Sequence, residues 1–204
     1  MKDEQPDIIL LRDERVPESL ADEFVTIIGV EGLNVKTHSR HPVAWASLEL
    51  LVPTAVVVLI CKPYFEGFLQ EAGKEHYQAL KKGVAFLGRS ILGQFRRIGP
   101  QGAEVGHSRY SFDLSLVAPG HGEQRFKLLI QNSMVEADLK LVVGLFLEFV
   151  EAYWARSLST CMTEQLSNVT HAGSNTVLLA YDFEARELVV IDPLPAKVRC
   201  RLKP

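Results

Sequence analysis

The chain of 204 residues has three cysteines, Cys61, Cys161 and Cys200, none at CxxC spacing. So sparse and odd a count excludes a disulfide framework and a cysteine-rich zinc site. The glycine-rich phosphate cradles are missing too, with no GxxxxGK[ST] and no GxGxxG after a strand. There is no GxSxG, which argues against a serine hydrolase. Charge of neither sign dominates: 22 basic residues face 25 acidic ones, for a formal net charge of -3. That removes the electrostatic case for a nucleic-acid or anionic-membrane partner. The apolar runs are too short to span a bilayer. The opening MKDEQPD lacks the apolar stretch of a secretory signal. These absences point to a cytoplasmic protein with neither nucleic acid nor membrane as a partner.

What is present suits an ordinary globular core, with 47% hydrophobic and 23% charged residues. DIILL (7–11) reads as a strand covered on both faces. Leu20, Phe24, Ile27 and Ile28 recur at helical spacing after Pro17, and Gly29 and Gly32 supply a stop. LNVKTHS predicts a second strand and HPVAWASLELL a short helix. AVVVLI (55–60) is β-branched and uncharged, the mark of a central parallel strand. A long helix is predicted from about Tyr64, with Phe65, Phe68, Leu69, Ala72, His76, Leu80, Val84 and Leu87 as its apolar stripe.

After about Gly99 the pattern changes. RYSFDLSLV alternates, so Tyr110, Phe112, Leu114 and Leu116 should share a buried face, and QRFKLLIQ answers it across the turn APGHGE. MVEADLKLVVGLFLEFVEAYWARS predicts a buried helix. TVLLAYDFEARELVVIDP predicts a second hairpin. The expected fold is one α/β domain: a doubly wound, flavodoxin-like parallel sheet over 1–98, extended over 99–204 by antiparallel hairpins and a helix. Ligands of such sheets sit beyond the carboxyl ends of the strands, here Arg12 to Glu14, Thr37 to Arg40 and Cys61 to Tyr64.

Chemistry-bearing groups are few. His38 and His41 have no third ligand nearby in sequence, so no metal site is expected. Cys161 and His171 form a nominal nucleophile–base pair that nothing local activates. His76, Trp45 and Trp154 fall among apolar helix neighbours and read as packing residues. Glu71 and Glu75 stand four apart, on one helix face.

The passages DIILLRDER, GLNVKTHSR and SLELLVPTAVVVLICKPYFEGFLQEAG occur in an order that resembles a TIR domain, the signalling and NAD-cleaving module of innate immunity. Lys62 stands where that family usually has serine, Tyr64 matches its aromatic residue, and Phe68-Leu69 replace its Trp-Cys pair. The family's catalytic glutamate falls near Ala72 or Gly73; Glu71 and Glu75 are the neighbouring carboxylates. The resemblance implies a signalling or interaction module that works through a protein partner or a second copy of itself, without a cofactor. A nucleotide would meet Arg12, Arg40, Lys62 and Tyr64. The alternative it implies is an NAD-cleaving hydrolase with Glu75 or Glu71 as the catalytic carboxylate stabilising a cationic ribosyl transition state.

Overall fold

A computed structural model describes residues 5–41, 54–67, 73–92, 109–169 and 175–191. The strands are β1 (Ile8–Asp13), β2 (Val35–Arg40), β3 (Val56–Ile60), β4 (Tyr110–Pro119), β5 (Arg125–Gln131), β6 (Thr176–Asp182) and β7 (Glu187–Ile191). The helices are α1 (Glu18–Ile28), α2 (Lys62–Gly67), α3 (Gly73–Ile91), α4 (Glu136–Trp154) and α5 (Thr160–Ser167). The fold is α/β, as expected. One mixed sheet of order β2-β1-β3-β4-β5-β6-β7 runs through both halves of the chain.

Parallel and antiparallel pairs alternate across it. β1/β2, β3/β4 and β5/β6 are parallel, whereas β1/β3, β4/β5 and β6/β7 are antiparallel. AVVVLI is interior as predicted: Val56, Val58 and Ile60 are fully buried. It runs parallel to β4 but antiparallel to β1. The reversal arises because β2 and β3 meet at the same end of the sheet, where the Arg40 guanidinium donates to the Thr54 carbonyl.

That reversal also decides where the helices go. Right-handed crossovers leaving β1 toward β2, and leaving an oppositely directed β3 toward β4, put both helices on the same face. Phe24 and Ile28 of α1, Leu80, Val84 and Leu87 of α3, and Val142, Val143 and Phe146 of α4 share one core with Ile8, Leu10, Val58, Leu116, Phe126, Leu128 and Leu179 of the sheet. Glycine permits close approach of α3 to α1. A Cβ on Gly83 would stand 2.4 Å from Ile28 Cγ2 and 2.8 Å from Phe24 Cε2.

The long helix predicted from about Tyr64 is seen as α2 and α3, while residues 68–72 between them, with Phe68, Leu69 and Ala72 of the predicted stripe, lie outside the described residues, as does the helix predicted over HPVAWASLELL apart from His41. One sequence expectation changes in detail. The hairpin 109–131 forms, but its register shifts between Tyr110 and Ser115. Leu114 and Leu116 face the helices, whereas Tyr110 packs with Leu129, Leu178 and Ala180 in a separate cluster. Five steps along β4 from Tyr110 to Ser115 stand against two along β5 from Gln131 to Leu129, and an odd surplus breaks period-two alternation, so Tyr110 changes face. Among the described residues, no helix is long and apolar enough to cross a membrane.

Candidate functional sites at the two ends of the sheet

The antiparallel β1/β3 pair divides the residues that the sequence grouped. Arg12 pairs with Val56 and Ile8 with Ile60. The carboxyl ends of β1 and β2 therefore lie at one end of the sheet, and that of β3 at the other. Four strand residues, about 13 Å, separate the two registers. Arg12 and Arg40 belong to the first end, Lys62 and Tyr64 to the second.

At the first end Arg12 is engaged within its own loop. Its Nη1 donates to the Val16 carbonyl at 2.9 Å, and Nη2 lies 3.7 Å from Glu18 Oε2. Asp13 accepts from the Arg15 backbone N–H and Nε at 2.9 Å and from Nη2 at 2.8 Å. Those side-chain bonds hold its carboxyl below the usual aspartate range, against the opposing effect of burial. Burial lowers the Arg40 guanidinium, and the Asp13 charge partly offsets this. Beside them the Thr54 and Ser115 hydroxyls, both buried, lie 2.6 Å apart.

Ser115 sits on the sheet face opposite α1, α3 and α4, and so does Lys127. Lys127 pairs with Val117 on β4 and Leu178 on β6 and is 1% exposed. Desolvation first, and then the Arg40 charge, bring its amine down to about 7. An amine so shifted is the form used by catalytic lysines, but at this burial no solute reaches it from solvent in the observed conformation.

At the second end the ring of Tyr64 is buried in the helix-side core, edge-on to Phe65. It offers no exposed face for stacking. Lys62 holds its ammonium over the Trp154 ring, 5.9 Å from the centroid. Glu75 is solvent-exposed in the first turn of α3. Glu71 lies outside the described residues. His76 is half-buried and satisfied: its Nε2 donates to the Glu31 carbonyl at 2.9 Å. His41 pairs with Glu14 at 2.9 Å, while His38 is exposed on edge strand β2. Cys161 is exposed on α5 and His171 lies outside the described residues. No group of three or more His, Cys, Asp or Glu residues suited to a metal ion occurs among the described residues.

The second end also carries a cleft that sequence reasoning passed over. It is open, about 270 Å³, and lined by His121, Glu123, Gln124 and Asn175. The β4–β5 turn forms one wall and the residue before β6 the other. Tyr153, at the end of α4, clamps the turn: its hydroxyl accepts the His121 N–H at 3.2 Å and donates to Gln124 Oε1 at 2.7 Å. The sequence showed the histidine between two glycines in APGHGE and a Tyr-Trp pair ending a helix. It gave no reason to join them.

No family model, curated protein or solved structure matches the chain.

Proposed function

We propose that the protein is a TIR-like signalling or protein-interaction module, and that it does not cleave NAD. The observation that carries this reading is the separation just described. A nicotinamide-cleaving site needs a carboxylate aimed at the ribosyl carbon while cations hold the phosphates of the same molecule. Arg12 and Arg40 occupy the end of the sheet opposite Lys62, which opens α2, and opposite Glu75, which stands in the first turn of α3 next to the His76 that bonds the Glu31 carbonyl. Arg12 is already engaged with Val16 and Glu18.

The sheet edges support an interaction role. At β7, α5 covers the edge, and the Gln165 side chain accepts the Val190 N–H at 3.0 Å. At the other edge, β2 pairs with β1 and with no other described strand. A strand edge of this kind recruits a further strand by backbone pairing.

The test is incubation of the full chain with NAD and measurement of released nicotinamide. The expected result is no release above a protein-free control. Robust release, abolished by Glu75→Gln or Glu71→Gln, would overturn the proposal in favour of the hydrolase.

A further inference from the structure

The cleft at the second end has the chemistry of a ligand site, and its lining of His121, Glu123, Gln124 and Asn175 includes none of the residues on which the proposed function rests. Its polar groups are fixed before any ligand arrives. Besides the two Tyr153 bonds, the Gly120 N–H donates to the Gln124 carbonyl at 2.7 Å and the Gln124 N–H to the His121 carbonyl at 3.1 Å. Gly122 takes a positive φ of 61° at the tip, a conformation that glycine adopts without strain. On the facing wall the Arg125 N–H donates to the Asn175 carbonyl at 2.9 Å, and the Asn175 side chain donates to Glu123 Oε2 at 3.0 Å.

These bonds dictate what each group still presents. The Gln124 oxygen is taken by the Tyr153 hydroxyl, so its amide NH₂ remains as a double donor. The Asn175 NH₂ is engaged with Glu123, so its oxygen remains as an acceptor, along with the second carboxylate oxygen of Glu123. The His121 imidazole adds its ring nitrogens and a flat surface. That ring is held by two aromatic neighbours, with centroids 5.0 Å from Tyr153 and 4.6 Å from Trp154. The indole N–H of Trp154 is buried beside them with no hydrogen-bond partner among the described residues.

We propose that this cleft binds a neutral, polyhydroxylated ligand of monosaccharide size. Vicinal hydroxyls each donate and accept, which matches donors and acceptors arranged side by side. The aliphatic face of a sugar ring suits contact with a flat, immobilised ring. Phosphate-bearing ligands are disfavoured by the Glu123 carboxylate in the wall. At about 270 Å³ the cleft is smaller than the roughly 300–1,000 Å³ of sites that hold drug-sized ligands, and a dinucleotide exceeds it.

The experiment is titration of the ¹⁵N-labelled full chain with glucose, galactose, mannose and N-acetylglucosamine in turn, with inorganic phosphate and AMP as anionic controls. At least one sugar should move the amide signals of His121, Gly122 and Asn175 saturably, with a dissociation constant on the order of 1 mM. Asn175→Ala or Glu123→Gln should weaken that response by roughly tenfold. Both side chains are exposed, and Ala at 175 keeps the carbonyl that Arg125 uses, so the fold should survive; unchanged signals elsewhere in the spectrum would verify it. The proposal is overturned if no sugar moves these signals, if phosphate or AMP moves them instead, or if neither substitution weakens the response. None of these outcomes depends on whether NAD is cleaved.

Discussion

Replacing Lys127 with methionine tests whether a nearly inaccessible amine imposes a pH-dependent penalty on folding. Methionine fills a similar volume without a charge. In the unfolded chain the amine titrates near its ordinary 10.5, and in the fold at about 7. The folded value is the lower one, so the unfolded state binds more protons between those limits and stability rises with pH across that window. Below about 7 both states carry the proton and the full penalty is present. Above about 10.5 neither does, and it is gone. At ~1.4 kcal/mol per pH unit the displacement amounts to roughly 4–5 kcal/mol, a large part of the ~5–15 kcal/mol that stabilises a typical domain.

The assay is urea unfolding of wild type and Lys127→Met at pH 6, 7, 8 and 9. The informative quantity is how the difference between the two proteins changes with pH, because a constant loss of other Lys127 contacts cancels from it. Methionine should confer its greatest relative gain at pH 6, and the gain should shrink by about 1 kcal/mol or more per pH unit above 7. Arg40→Gln removes the nearby positive charge that contributes to the lowering, so it should move the wild-type window to higher pH. A wild type and variant whose difference stays constant within about 0.5 kcal/mol from pH 7 to 9 would refute the reasoning. The buried amine would then be compensated in the fold as well as it is in water.

Two further substitutions probe the core. Val58→Asp places a carboxylate where the native side chain is fully buried on the helix side of the sheet; at several kcal/mol for an unpaired buried charge, the variant should lose its cooperative unfolding transition, and a soluble protein with native melting behaviour would contradict two-sided burial of β3. Gly83→Ala sets two effects against each other: alanine is favoured in a helix by about 1 kcal/mol, but its Cβ would meet buried Ile28 and Phe24 at 2.4 and 2.8 Å, and overpacking costs about 1–3 kcal/mol, so the melting temperature should fall, whereas a rise would mean that α1 and α3 can move apart freely.

Most elements were legible because their burial is local in sequence. Phe24 and Ile28, or Leu80, Val84 and Leu87, announce a helix face through spacing alone, and β3 announces an interior strand through five consecutive β-branched or aliphatic side chains. Strand direction left no such trace. Residues 56–60 would read identically whether β3 ran with β1 or against it, because hydrophobic patterning records which faces are covered and not which way the chain runs. The same limit explains Tyr110. The alternation over 110–116 is regular in sequence, but the pairing shifts before Ser115, and an irregularity of pairing is a property of two strands, invisible in either one.

That single undetermined direction also governs how far a site can be read. Grouping Arg12, Arg40, Lys62 and Tyr64 assumed that all the strands end on one side, which holds for a wholly parallel sheet. Reverse β3, and the same residues fall at opposite ends while keeping their places in the elements that contain them. Lys127 shows the converse. Its position in RFKLLIQ looks like the solvent side of an alternating strand; burial of that second face, with Arg40 reaching it from the end of β2, turns an unremarkable lysine into the most strongly shifted amine among the described residues. The cleft depends on equally distant partners, since the Tyr153 hydroxyl joins His121 and Gln124 across about thirty residues of chain. Local pattern therefore supplies the elements, and the functional reading rests on contacts that only the assembled sheet creates.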